Sequence, residues 1–363
     1  MSELNDRSHI SRYSSLVAEQ RNNQATRELW SRYAGHRKVM TGLVQTMAES
    51  LKNSDLPTLC VLGAGNVNDL SLAELLPLFA EIRLVDFDQQ AVEAGIARQA
   101  QTIVNPDLAA LFRKRVSFAG PFDLSGISDL LAIGFQEKVM PDEHCQTDSK
   151  PFPNRLREAL SRQRPEHTVR SLGCSDVVVS ACMLSQLVRQ VGDVIGQSST
   201  FSNLLSWQVV SNHLHLSLAL TKPGGRTLLA TDCVSLSDGV PELEHEDDSD
   251  QLQILAGRAI QDGNFFSNMS PSELANGLDD IRLRRYVAEM NHSSFWKWRI
   301  SQQTQYLCHA IEVTRSSVPW GATAQNAEDR LGDILRSFAK RTGVACRSLG
   351  DSEINKRSPD KES

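Results

Sequence analysis

Two glycines and a later aspartate are the residues of this chain that most clearly indicate chemistry. The segment TLCVLGAGNVND, Thr58–Asp69, joins an apolar run to Gly63, Gly65 and several polar residues. Glycine lets a ligand approach the backbone closely, because it has no side chain and tolerates positive φ. Asp86 lies about 20 residues further on, where βαβ units carry the acid that binds ribose hydroxyls. The sequence therefore predicts a site for a nucleoside-containing cofactor.

Two classes of cofactor fit such a turn. Dinucleotide sites use G-x-G-x-x-G, in which the third glycine allows close packing of helix and strand. Counted from Gly63, that position is Asn68, so the third glycine is missing. S-adenosylmethionine has no phosphate, and its amino-acid part needs polar partners that Asn66, Asn68 and Asp69 could supply. The turn alone does not separate the two.

Alternating strand and helix patterns surround this turn. The predicted strands are Thr58–Leu62, Ile82–Phe87, Val116–Phe118, Asp176–Ala181 and Thr227–Thr231. The predicted helices between them are Leu70–Phe79, Gln89–Thr102 and Leu204–Leu220. FWKWRI and QYLCHAIEVTR add two β runs near the end. Such alternation predicts βαβ units and a parallel sheet.

The same patterns divide the chain. Residues 1–55 are predicted to form an N-terminal helical cap or lid, and residues 56–320 the α/β domain, with an insertion at about 132–170. A C-terminal helix at 321–349 and a disordered tail at 350–363 are expected to follow. Trp30, Tyr33, His36 and Arg37 share one side of an N-terminal helix, which either packs on the sheet or covers the cofactor.

Composition limits the classes of partner. The chain has 363 residues and a formal net charge of -6, without the positive charge typical of a nucleic-acid binder. Its seven cysteines contain no C-x-x-C pair, which predicts reduced thiols in a cytoplasmic compartment and no metal site. We see no secretory signal and no apolar run long enough to span a membrane. The oligomeric state is not readable.

An ordered set of motifs resembles one enzyme superfamily. VLGAGN, LVDFD, SFAGPFD, DVVVSACMLSQL and KPGGRTLLAT follow one another as in class I S-adenosylmethionine-dependent methyltransferases. The resemblance covers roughly residues 57–232, and the last two β runs extend it to about 315. It implies an α/β fold with a Rossmann-like, seven-stranded, mostly parallel sheet. The last strand would be antiparallel, and helices would cover both faces.

The resemblance also implies cofactor contacts. Gly63 and Gly65 would line the methionine part, with Asn66 and Asp69 as its polar partners. Asp86 would hold the ribose. The remaining contacts would come from Phe87 against adenine, Asp123 after Phe122 at the adenine amino group, and Ser180 near the reacting methyl group. No catalytic base is indicated.

Some positions depart from the family pattern. Val61 stands where an acid is usual, and Val67 where a third glycine is common. Strand four ends in SACM, which disfavours amide and base amino groups as methyl acceptors. The sequence thus predicts a methyltransferase for a small molecule, acting by in-line transfer. The alternatives are an aminocarboxypropyl or aminopropyl transferase, a non-catalytic S-adenosylmethionine-binding domain and, with less support, an NAD-dependent oxidoreductase.

Overall fold

The computed structural model describes residues 19–51, 55–125, 165–195, 200–236, 248–266, 269–280, 282–301 and 304–320. These residues lie in one of two compact units, which comprises residues 1–145 and 163–320. The other unit, residues 146–162 and 321–363, lies outside the described residues. The predicted C-terminal helix, the tail and most of the predicted insertion therefore also lie outside them.

Eight strands form one sheet. They are β1 (Thr58–Leu62), β2 (Glu81–Val85), β3 (Val116–Phe118), β4 (Ser175–Ala181), β5 (Thr221–Ser235), β6 (Val287–His292), β7 (Trp296–Arg299) and β8 (Gln305–Arg315). The order is β3-β2-β1-β4-β5-β8-β6, and β7 also pairs with β8. Strands β1 to β5 are parallel, whereas β8 is antiparallel to β5, β6 and β7. The predicted fold class is confirmed.

The difference between eight strands and the predicted seven lies at one edge. Strand β6 pairs with residues 311–315 of β8, and β7 pairs with residues 305–308 of the same strand. The two are therefore successive pieces of one edge strand, and the sheet has seven positions. Both β runs predicted from the C-terminal sequence are present as β7 and β8.

Ten α-helices are described. They are α1 (residues 19–26), α2 (Ala34–Ser50), α3 (Leu72–Leu75), α4 (Gln89–Gln101), α5 (Pro106–Arg115), α6 (Pro165–Leu172), α7 (Leu184–Ile195), α8 (Thr200–Leu220), α9 (Ser249–Gln261) and α10 (Pro271–Leu278). The prediction of one helix over Leu70–Phe79 was wrong. Helix α3 ends early and a 3₁₀ turn, Leu76–Leu78, follows, because Pro77 lacks the N–H that would continue the α-helix. No described helix is long and apolar enough to cross a membrane.

Apolar side chains cover both faces of the sheet. One cluster joins the sheet to α2, α3 and α4, and a second joins it to α8, α9 and α10. Leu228 and Leu229, neighbours on β5, belong to different clusters, because successive strand residues point to opposite faces. The helices lie between parallel strands in sequence, so the carboxyl ends of β1, β2, β4 and β5 share one edge. That edge carries the predicted site.

Asp176 joins β4 to the start of β1 and to Lys222 at the opposite edge of the sheet, and it does so as a charged group. Its Oδ2 accepts hydrogen bonds from the Thr58 N–H, the Thr58 hydroxyl and Lys222 Nζ, each at 2.8 Å. Partial burial alone would raise the pKa of Asp176, but the bonds from Lys222 and Thr58 outweigh it and the pKa is lowered. The charged form therefore stabilises the fold above the ordinary pKa of aspartate. That contribution is lost as pH falls through the lower folded-state pKa.

We expect Asp176→Asn to lower the free energy of unfolding by about 1–2 kcal/mol at pH 7, since a charge-assisted set of bonds becomes neutral. The difference from the parent chain should shrink below about pH 4, near the ordinary pKa of aspartate. Urea denaturation over this pH range measures it. Asp55→Asn, at an exposed position, is the matched control. A difference that does not depend on pH would contradict the role of the Asp176 charge.

Candidate functional site

The glycine turn and Asp86 meet at the carboxyl ends of β1 and β2. The Gly65 N–H donates to Asp86 Oδ2 at 2.7 Å, and the Asp88 N–H donates to Asp86 Oδ1 at 2.8 Å. The Gly63 N–H donates to the Val85 carbonyl at 2.9 Å. Asp86 also has a hydrogen bond from the Phe87 backbone and one with the Glu19 carboxyl, so several donors share its two oxygens. The structure thus brings together the two features that the sequence singled out.

The turn runs through three left-handed residues. Gly63 has φ of 74°, Gly65 of 45° and Val67 of 53°. Left-handed backbone costs a non-glycine residue about 1–2 kcal/mol. Val67, the position where the resembled family often has glycine, is buried at 3% exposure, so core packing holds it in this conformation. The turn is therefore left-handed at this position without a third glycine.

The protein's own side chains lie close to both glycines. A Cβ on Gly63 would be 2.9 Å from Cβ and Sδ of Met183, which follows β4. A Cβ on Gly65 would be 3.1 Å from Oδ1 of Asn23 in α1. Both positions therefore need glycine for contacts within the chain, whatever ligand the turn holds.

The polar side chains of the turn bind α1. Asn66 Nδ2 donates to the Asn23 carbonyl at 2.5 Å and to the Thr26 hydroxyl at 3.0 Å. Asn68 Nδ2 donates to the Thr26 carbonyl at 3.0 Å. Arg98 of α4 donates to the Asn66 carbonyl at 2.6 Å. The amides proposed for the amino-acid part of a cofactor are thus engaged within the chain.

The residues predicted around adenine lie beside Asp86. The Phe122 N–H donates to the Asp86 carbonyl at 3.2 Å, which places the segment after β3 next to the end of β2. Phe87 and Phe122 are partly buried and Asp123 is exposed. Asp123 Oδ1 accepts hydrogen bonds from the N–H and the hydroxyl of Ser125. These three residues could border a nucleoside, and their contacts with adenine stay predictions.

Ser180 pairs with Leu62 beside the glycine turn, but its side chain faces helix α8. Its Oγ lies 2.8 Å from Nε2 of His213 in α8, and both side chains are fully buried. Burial lowers the pKa of His213 to about 4, so the ring is neutral. The hydroxyl points into a helix layer because strand side chains alternate between faces, a direction that the motif did not reveal. The residues after it, Cys182 and Met183, lie at the edge instead.

A buried histidine that the sequence did not single out for chemistry connects α2 to this edge. His36 Nδ1 accepts a hydrogen bond from Trp296 Nε1 at 3.0 Å. His36 Nε2 lies 3.2 Å from Asp69 Oδ1 and 3.9 Å from Cys182 Sγ. Its ring stacks on Trp298 with centroids 4.7 Å apart. Asp69, expected at the cofactor, is thus paired with His36.

The two nitrogens of His36 favour different charge states. Burial alone lowers the pKa of His36, whereas Cys182 and Asp69 raise it to about 9. Trp296 can only donate, however, so Nδ1 must present a lone pair to the indole N–H. A second ring proton on Nδ1 would face that N–H. We therefore assign a neutral ring with its proton on Nε2.

The same assignment bears on metal binding. His36, Cys182 and Cys308 are buried and offer ligand atoms within 4.8 Å of one another. A metal would need the lone pair of Nε2, which the assigned tautomer does not have. We interpret the cluster as a hydrogen-bonded connection between α2, β8 and the end of β4.

Cys182 lies at the point where strand order reverses. Strands β1 and β4 are neighbours, while the chain continues from β1 towards β2 and from β4 towards β5. In open α/β sheets, ligands bind in the crevice at such a switch point. Gly63 and Cys182 flank it, and Cys182 has a left-handed φ of 49°. Helix α3 begins only at Leu72, so no helix N-terminus adjoins the glycines, unlike in dinucleotide sites.

Comparisons with known proteins give distant likeness in structure only. No family model and no curated protein matches the chain. An O-methyltransferase family protein from Burkholderia thailandensis is 15% identical over 77% of this chain and 58% of its own, with a TM-score of 0.34. The N-methyltransferase NodS from Bradyrhizobium japonicum, solved with S-adenosyl-L-homocysteine, is 9% identical over 80% of this chain and 98% of its own, with a TM-score of 0.35.

A methyltransferase from Methanosarcina mazei is similar to the same degree. It is 11% identical over 76% of this chain and 97% of its own, with a TM-score of 0.36. Likeness at this level adds nothing to the assignment of the fold, which rests on the strand order. This chain spans less than two thirds of the Burkholderia protein.

Proposed function

We propose that this protein binds S-adenosylmethionine at the carboxyl edge of β1 and β2 and transfers its methyl group to a small molecule. One observation carries the proposal: Asp86, at the end of β2, accepts the Gly65 N–H and so lies against the glycine turn at the switch point. A ribose needs such an acceptor for its two hydroxyls. The glycine turn beside it allows a ligand close to the backbone.

The chain's own residues would bind and orient. Asp86 would hold the ribose, Phe87 and Phe122 would border adenine, and the backbone of Gly63–Gly65 would border the methionine part. S-adenosylmethionine supplies an electrophilic methyl group on a sulfonium. The protein has to hold an acceptor in line and exclude water. A base is required only where the acceptor must lose a proton, and we assign none.

Calorimetric titration with S-adenosylhomocysteine, and with NADH in parallel, tests the cofactor. We expect Asp86→Asn to weaken binding of S-adenosylhomocysteine by about 10- to 100-fold, since hydrogen bonds to a charged group contribute about 1.5–3 kcal/mol. Asparagine keeps one oxygen for the Gly65 N–H, so the turn should survive. Asp107→Asn, at an exposed position in α5, is the matched control. Binding of NADH alone would overturn the proposal.

A second candidate keeps the cofactor but not the reaction. Asn66, Asn68 and Asp69 are engaged with α1 and His36, so the methionine part would have to be held differently from the resembled family. That observation favours a domain that binds S-adenosylmethionine without transfer, or one that transfers another group of it. A screen of small acceptors, read by release of S-adenosylhomocysteine, separates these from a methyltransferase.

A further inference from the structure

Helix α1 covers the site that the proposed cofactor would use. Asn23 Nδ2 donates to Asp88 Oδ2 at 3.0 Å, beside the ribose-binding position. Its Oδ1 lies against Gly65. One turn earlier, the carboxyl of Glu19 hydrogen-bonds the carboxyl of Asp86. Side chains of α1 therefore contact both parts of the predicted site: Asn23 contacts the glycine turn, and Glu19 contacts Asp86.

Glu19 lies where the proposed ribose would meet Asp86, and three acids surround it. Its carboxyl faces Asp86 at the end of β2, Asp88 at the start of α4 and Asp123 after β3. Asp86 was predicted for ribose and Asp123 for adenine. Two carboxyls can share a hydrogen bond only with a proton between them, and that proton would be given up to place a ribose hydroxyl on Asp86.

We propose that α1 is a proton-dependent gate of the cofactor site, in which protonated Glu19 occupies the place of the ribose hydroxyls on Asp86. The inference rests on the proposed function and adds regulation to the same site. Cofactor and α1 compete for Asp86. Loss of the Glu19 proton leaves a carboxylate among three acids, which repels α1 from the site and opens it.

Electrostatics supports the protonated state of the closed gate. Burial, and then the charges of Asp86, Asp88 and Asp123, raise the pKa of Glu19 well above its ordinary value. Burial also raises the pKa of Asp86, although hydrogen bonds from the Asp88 and Gly65 N–H groups oppose this. A proton can therefore stay on the pair at a pH where an exposed glutamate is ionised.

Packing allows α1 to move while the following segment stays. No side chain of residues 19–26 belongs to the apolar core, so within the described residues α1 is attached by hydrogen bonds rather than by apolar contacts. Segments with few buried apolar contacts open at low free-energy cost. Downstream, Arg37 stacks on Trp30 at 3.5 Å, and Tyr33 is buried in the core. Opening of the gate would thus pivot between Thr26 and Trp30.

Titration of the full chain with S-adenosylhomocysteine at pH 5.5, 7.0 and 8.5 tests the gate. We expect affinity to rise with pH, at most about tenfold per pH unit while Glu19 ionises. Glu19→Ala should bind as tightly at pH 5.5 as the parent chain does at pH 8.5. Glu19→Gln should bind weakly at every pH, because its neutral amide can still donate to Asp86. Glu28→Ala, exposed in the segment after α1, should behave as the parent chain.

The possible outcomes separate the gate from the cofactor. A pH dependence that persists in Glu19→Ala belongs to the ligand or to Asp86 and overturns the gate. Weaker binding by Glu19→Ala would make α1 a lid that adds contacts, which also overturns it. Both results leave the proposed function standing. Absence of S-adenosylhomocysteine binding by every variant at every pH overturns the proposed function and the gate with it.

Discussion

Gly95→Ala is expected to lower the free energy of unfolding by about 2–3 kcal/mol and to displace the glycine turn. Gly95 lies in α4 where the helix presses on the turn. An added Cβ would be 2.4 Å from the Asn66 carbonyl oxygen and 2.7 Å from Val67 Cγ2. Overpacking of this kind costs about 1–3 kcal/mol. The contact is with backbone, which cannot rotate away, so we expect the upper part of that range.

Alanine normally stabilises a helix relative to glycine, so a loss of stability in Gly95→Ala would have the opposite sign to the usual effect. Gly42 in α2 and Gly257 in α9 have no atom within 4 Å of an added Cβ. Gly42→Ala and Gly257→Ala should therefore raise the free energy of unfolding by about 0.5–1 kcal/mol. Urea denaturation of the three variants measures the expected loss of stability and the two expected gains. Gly95→Ala as stable as the two controls would contradict close packing of α4 on the turn.

The sheet could be predicted because its signals are local. Strand β1 is an apolar run that ends at a glycine, and Asp88, a residue type that favours helix starts, caps α4 by accepting the Ala91 N–H at 3.2 Å. Helix α5 also carried a local signal that was overlooked. Asn105 caps it and Pro106 occupies its first turn. Helix α7 follows β4 after a short turn and had no such signal in the apolar sequence.

The site was predictable only in part, because much of it comes from distant segments. Gly65 and Asp86 follow the ends of neighbouring strands, so their spacing in the sequence predicted their contact. Glu19 and Asn23 reach the same place from an N-terminal helix, whose position depends on tertiary packing. Ser180 shows the opposite case, in which a motif gave the right strand but not the direction of the side chain.

His36→Ala is expected to lower the free energy of unfolding by about 3 kcal/mol, the other large effect. Loss of the ring leaves the Trp296 N–H without its acceptor, at about 1–3 kcal/mol, and removes the 3.2 Å contact of His36 Nε2 with Asp69 Oδ1. The stacking on Trp298 is lost as well, at about 0.5–1.5 kcal/mol. His292→Ala, at an exposed position, should change stability by less than about 0.5 kcal/mol.

His36→Gln separates hydrogen bonding from packing volume. The glutamine carbonyl can accept the Trp296 N–H and its amide can donate to Asp69, so we expect about half the loss seen for alanine, on the scale of one recovered hydrogen bond. Equal losses for both variants would assign the effect to the cavity. Nitrogen NMR of the imidazole then tests the tautomer. A proton on Nε2 alone at pH 7 is expected, whereas a doubly protonated ring would contradict the Trp296 bond. A doubly protonated ring would instead indicate an ion pair of His36 with Asp69 and a Cys182 thiolate.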